Sequence, residues 1–136
     1  MNCKLHWLDN NNVCREYDLG RVLEEYGFVF IGRFTGSDAL EARKHGVIEK
    51  SFYSLYIFKP GELYYYMELE DGYVSRRHAL IESREDGIFI TDHGVDGRGS
   101  TNGTFINGKK IEPGKPYRLN RGDEISLGSE TKVWIE

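Results

Sequence analysis

The chain has 136 residues, of which 39% are hydrophobic and 29% charged, with a formal net charge of -4, 16 glycines and two cysteines. That length fits one domain with its own core. No apolar run is long enough to cross a bilayer, and the acidic balance is the wrong sign for a nucleic-acid protein. The start, Met1 to Trp7, lacks the apolar stretch of a signal peptide, so a cytoplasmic location is expected, with no membrane partner.

In chain order, strand signals dominate. Lys4–Leu8 and Val13–Tyr17 read as a hairpin around Asp9–Asn12. In that register Cys14 faces about Trp7, so no disulfide to Cys3 is expected. Cys3 and His6 lack a second pair of suitable spacing, so neither metal nor cofactor is expected. Tyr26–Ile31 is a β-rich run ending at Gly32-Arg33. Ser37–Lys50 is the one segment that reads as helical: Ser37 or Asp38 can cap it, Ala39, Leu40 and Ala42 favour it, and Gly46 can stop it.

Phe52–Phe58 and Leu63–Leu69 flank Lys59-Pro60-Gly61-Glu62, where Pro then Gly suits a type II turn. His78–Glu82 and Gly87–Thr91 flank Arg84-Glu85-Asp86. Thr104-Phe105-Ile106 is a very short strand between turns at Asn102-Gly103 and Asn107-Gly108. Lys110-Ile111, Tyr117–Leu119, Glu124–Leu127 and Lys132–Ile135 complete the set. Short strands with frequent turns predict an all-β sandwich.

Charge is uneven along this pattern. Glu62, Glu68, Glu70 and Asp71 form an acidic stretch, whereas Arg76, Arg77, Arg98, Lys109, Lys110, Lys115, Arg118 and Arg121 concentrate positive charge later. A basic focus on an acidic protein suits a small anionic group. Three separated segments share the chemistry that phosphate needs: a forked guanidinium, hydroxyls, and amide N–H groups. They are Gly32-Arg33, Ser75-Arg76-Arg77-His78 and Ser100-Thr101-Asn102-Gly103-Thr104.

Those segments, with Asp92, Asn107-Gly108, Leu119, Gly122-Asp123-Glu124-Ile125 and Leu127-Gly128 following in order, resemble a forkhead-associated (FHA) domain over nearly the whole chain. The resemblance implies a β-sandwich of two sheets and about eleven strands that binds phosphothreonine peptides and does no catalysis. It implies that Arg33 and Ser75 contact phosphate, Arg76 adds a contact, Thr101 holds the phosphothreonine, and Asn102 bonds the peptide backbone. His78 would brace the loops, and Gly32, Gly103, Asn107 and Gly108 would support them. Arg98, Ser100 and Arg77 are secondary candidates. The implied partner is a phosphothreonine protein, either a Ser/Thr-kinase substrate or the kinase itself.

Rival readings are weaker. Asp92, His93 and Ser100 suggest a hydrolase, but no nucleophile-elbow sequence surrounds Ser100. The Asp92–Gly97 stretch lacks the glutamate that closes a calcium loop. Arg121-Gly122-Asp123 reads as a turn, and Gly20-Arg21 lacks the apolar strand that precedes Gly32-Arg33.

The chain departs from the family in two places. Taken as a single domain over 1–136, it carries an insertion at about 36–62. The run Phe52–Phe58 is apolar on both faces, so it is either a strand covered by the helix or, with residues up to 66, a phosphate-independent interaction or dimerisation surface. A second insertion, His93–Gly99, reads as mobile from its glycines and could bring Arg98 to the peptide.

Overall fold

The structure is a computed structural model that describes residues 3–8, 14–32, 47–50, 54–59, 62–68, 78–94, 96–127 and 131–136. These form thirteen strands and one helix. Six strands make one sheet, in the order β10 (Lys109–Lys110), β9 (Thr104–Ile106), β12 (Glu124–Leu127), β13 (Thr131–Ile135), β1 (Leu5–Leu8) and β2 (Cys14–Tyr17). Seven make the other: β11 (Tyr117–Leu119), β8 (Gly87–Asp92), β7 (Ala79–Arg84), β3 (Phe28–Gly32), β6 (Glu62–Glu68), β5 (Ser54–Lys59) and β4 (Val47–Lys50). The β3–β6 pair is parallel and the others are antiparallel.

Period-two alternation decides which side chains face inward. In β7, Ala79 and Ile81 are buried, and in β12, Ile125 and Leu127 are buried. With Leu5, Val29, Ile31, Ile90, Val133 and Ile135 they form one core. Burying each large aliphatic side chain contributes about 1.5–3 kcal/mol.

The helix α1 is Leu19–Tyr26, not the expected Ser37–Lys50. The Asp18 side chain accepts from the Arg21 amide, and Gly27 closes the helix in the left-handed conformation at φ 91°. Leu19, Val22 and Leu23 are buried, the i, i+3, i+4 spacing of a helix face. Gly20, set aside in the sequence with Arg21, lies in its first turn and donates to the Cys3 carbonyl at 2.8 Å. Val47–Lys50, the end of the expected helix, is strand β4, because pairing with β5 outweighs local helix propensity. The rest of that expected helix and the Pro60-Gly61 turn lie outside the described residues.

The first hairpin pairs Leu8 with Cys14, one residue away from the expected register. Neither cysteine is in a disulfide; Cys3 is buried and Cys14 exposed. Burial pushes the Cys3 thiol up, above its ordinary range. A thiol reagent at neutral pH is therefore expected to modify Cys14 quickly and Cys3 only on unfolding. Equal rates in the native protein would contradict the burial of Cys3.

The aromatic segment at 52–66 falls largely in β5 and β6, each of which has strand neighbours on both sides. Their backbone groups are committed to the sheet, and the open edge is β4. Among the described residues no helix is long and apolar enough to cross a membrane.

Candidate functional site

The register of the seven-stranded sheet brings Gly32, His78 and Asp92 to one end. Ile31 pairs with Ala79, and Ala79 pairs with Asp92. The end of β3 at Gly32, the start of β7 after His78 and the end of β8 are thus neighbours. From Asp92 the chain crosses to the other sheet, which it enters at Thr104. Arg33, Ser75, Arg76 and Arg77 lie outside the described residues. The described half of the site is the crossing from 92 to 104.

Asp92 is the base of that crossing and is fully buried. Its Oδ1 accepts from the Ser100 amide at 3.2 Å and from the Thr104 hydroxyl at 2.8 Å. Ser100 Oγ accepts from the Gly103 amide at 3.0 Å, which closes the turn, and Gly103 takes φ 87°. From β7, the buried His78 donates from Nε2 to the Gly103 carbonyl at 2.8 Å. A carbonyl only accepts, so the proton is on Nε2. The loop is thereby fixed from below in both sheets, and Thr101 and Asn102 stand exposed on top.

The crossing was expected to be mobile, but its described residues are stitched together. The His93 amide donates to the His78 carbonyl at 2.9 Å, and the Gly99 amide donates to the His93 carbonyl at 2.8 Å. Gly94 is a glycine of close approach: a Cβ there would lie 2.1 Å from the Gly99 carbonyl oxygen. Arg98 is exposed, its backbone amide donates to Asp96 Oδ1 at 3.0 Å, and its guanidinium lies 3.9 Å from Asp96 Oδ2.

The hydrolase reading finds no matching geometry. His93 donates from Nδ1 to the Gly94 carbonyl and meets the Phe30 ring edge-on. Ser100 and Asp92 are engaged with the loop backbone and Thr104. Among the described residues no group of three His, Cys, Asp or Glu could hold a metal.

Asn107 and Gly108 sit at the far end of β9 from the Ser100–Gly103 turn. Both take positive φ, 50° and 83°, as a two-residue hairpin turn requires. The Asn107 side chain donates to Asp123 Oδ1 at 2.9 Å and accepts from the Glu124 amide at 2.9 Å. It brackets two turns at that end and does not touch the Thr101 loop. Lys110, grouped from the sequence only with the later positive charge, is close to that loop. Its Cε lies 3.1 Å from where a Cβ on Gly103 would be. The hairpin register, which pairs Lys110 with Phe105, puts it there.

Residues 65–128 match the family model for the FHA domain. The chain is 47% identical over 55 residues to the FraH protein of Nostoc sp., across 40% of this chain and 17% of that protein. It therefore spans under a fifth of that relative's length. The crystal structure of Slr1951 from Synechocystis sp. superposes with a TM-score of 0.61 at 27% identity, covering 98% of this chain and 93% of that one. The N-terminal FHA domain of S. cerevisiae Rad53p, solved in complex with a phosphothreonine peptide, gives a TM-score of 0.57 at 22% identity and covers 99% of this chain and 92% of that one. The family match runs from within β6 to just past β12, the fold likeness takes in the strands on either side of it, and over residues 65–128 the chain is similar to the FHA domain family.

Proposed function

We propose that this chain is a phosphothreonine-peptide adaptor without catalytic activity, acting in the cytoplasm on a partner phosphorylated by a Ser/Thr kinase, or on the kinase itself. We take residues 1–136 as one domain, with about 36–62 as an insertion. The observation that carries the reading is the braced turn: Thr101 and Asn102 are exposed on a backbone fixed by Asp92 and His78. It stands at the end of the sandwich where β3 ends at Gly32 and β7 begins after His78; Arg33 follows the one in sequence, and Ser75-Arg76 precede the other.

The chemistry suits a dianion. A phosphothreonine carries about −1.5 to −2 charges and three acceptor oxygens. Arg33 and Arg76 neutralise it, Ser75 and Thr101 donate hydroxyl hydrogen bonds, and Asn102 bonds the peptide main chain. Threonine is preferred over serine if the loops leave a pocket for the extra methyl. Each charge-assisted bond contributes roughly 1.5–3 kcal/mol, so two of them separate phosphorylated from unmodified peptide by about 100-fold or more. Calorimetric titration with matched threonine and phosphothreonine peptides tests this. Arg33→Ala is expected to weaken phosphopeptide binding at least about tenfold. Equal affinity for the two peptides, or unchanged affinity in Arg33→Ala, would sink the proposal.

A further inference from the structure

We infer that Lys110 forms a subsite for an acidic side chain flanking the phosphothreonine, so that the loop end selects acidic peptides. This rests on the phosphopeptide reading above and adds a specificity determinant to it. Three observations carry it.

Lys110 is placed by backbone pairing. It lies opposite Phe105 in β9, and the next residue, Ile111, donates to the Thr104 carbonyl at 3.0 Å. The lysine is thus anchored at the end of the hairpin nearest the Ser100–Gly103 turn.

Gly103 leaves room for its stem. With no Cβ at 103, the Lys110 Cε passes within 3.1 Å of that point, beside the Phe105 ring. The ammonium, one bond beyond Cε, is thereby held close to the turn that carries Asn102, the residue assigned above to the peptide main chain.

Among the described residues the charge has no carboxylate partner: Lys4 pairs with Glu16 at 2.9 Å and Lys132 with Glu124 at 3.6 Å, whereas Lys110 pairs with none. A lysine is a strongly hydrated point charge suited to a single carboxylate. Lys109 precedes it in the strand, so its side chain leaves from the opposite face and serves as a control.

The test is a set of phosphothreonine peptides on a neutral background, each with one aspartate at a position from three residues before to three after the phosphothreonine. They are titrated against the wild-type chain, Lys110→Met and Lys109→Met. One aspartate position is expected to tighten binding by about two- to fivefold, the range for an exposed charge pair. That gain should shrink with added salt, vanish in Lys110→Met and persist in Lys109→Met. Circular dichroism spectra checked against wild type confirm that the variants are folded.

Several outcomes overturn the inference. An aspartate gain unchanged in Lys110→Met refutes it while leaving the phosphopeptide reading intact. An equal loss for every peptide, including the neutral one, assigns Lys110 to the phosphate instead and also refutes it. No aspartate gain at any position in the wild type refutes it as well. Failure of the wild type to distinguish phosphothreonine from threonine removes the underlying reading and this inference with it.

Discussion

Asp92→Ala is expected to lower the unfolding free energy by about 2–4 kcal/mol. The variant strips the Ser100 amide and the buried Thr104 hydroxyl of their acceptor. A buried donor left unpaired costs about 1–3 kcal/mol, and the vacated volume adds to the loss. Removing a buried carboxylate also removes its own desolvation cost, which holds the total down. The change is large beside a typical stability of about 5–15 kcal/mol. Asp92→Asn is the informative companion. It keeps an acceptor at Oδ1, and Oδ2 has no hydrogen-bond partner among the described residues, so its loss should be less than half that of alanine. Urea denaturation of both measures this. Alanine within 0.5 kcal/mol of wild type, an allowance set by ordinary surface substitutions, would show that the carboxylate does not hold the crossing.

The second large effect concerns backbone alone. Gly94→Ala is expected to cost about 3 kcal/mol or more. Gly94 has φ 73°, and its new methyl would collide with the Gly99 carbonyl oxygen at 2.1 Å. A left-handed conformation costs an alanine about 1–2 kcal/mol by itself; the collision adds to it because backbone cannot swing aside as a side chain does. Gly108→Ala separates the two contributions. Its φ is 83°, with nothing within 4 Å of the added carbon, so only the conformational cost of about 1–2 kcal/mol applies. Thermal unfolding of both variants decides. If Gly94→Ala is no worse than Gly108→Ala, the close approach at 94–99 is wrong.

That glycine pair also shows where sequence reading went astray. Glycine between 93 and 99 signals freedom when read locally, yet Gly94 is there because two backbone segments touch. A close approach between residues five apart has no local signature. The same limit applies to Asn107. Its turn was legible from Asn-Gly, but its bracket to Asp123 and Glu124 depends on which strand lies beside β9. Lys110 was undervalued for a related reason, since hairpin register alone carries it toward Gly103.

What was legible was short-range. Alternation marked β7, β8 and β12, and the Asn-Gly spacing gave Thr104–Ile106 as the bounds of β9. The missed helix was also legible in principle: Asp18, then Leu19, Val22 and Leu23, then Gly27 make a capped amphipathic turn sequence. It was obscured by the glycine at 20 and by stronger helix formers at 39–43. The ordered motifs named candidate site residues without placing them. The structure supplies what braces the turn of Thr101 and Asn102, namely Asp92 and His78, which lie side by side at one end of the β7–β8 pair.

The position of β13 has a consequence for how the protein is made. It lies between β12 and β1, with Leu5 opposite Ile135. The β1–β2 hairpin leaves the ribosome early, while its inner neighbour emerges roughly ten seconds later at ordinary translation rates. A lone hairpin is marginal in water, and Leu5 and Tyr17, fully buried in the finished sandwich, have no cover during that wait. The six-stranded sheet therefore closes only after synthesis of residues 131–135, and loss of those residues would leave the two halves of the sheet unjoined.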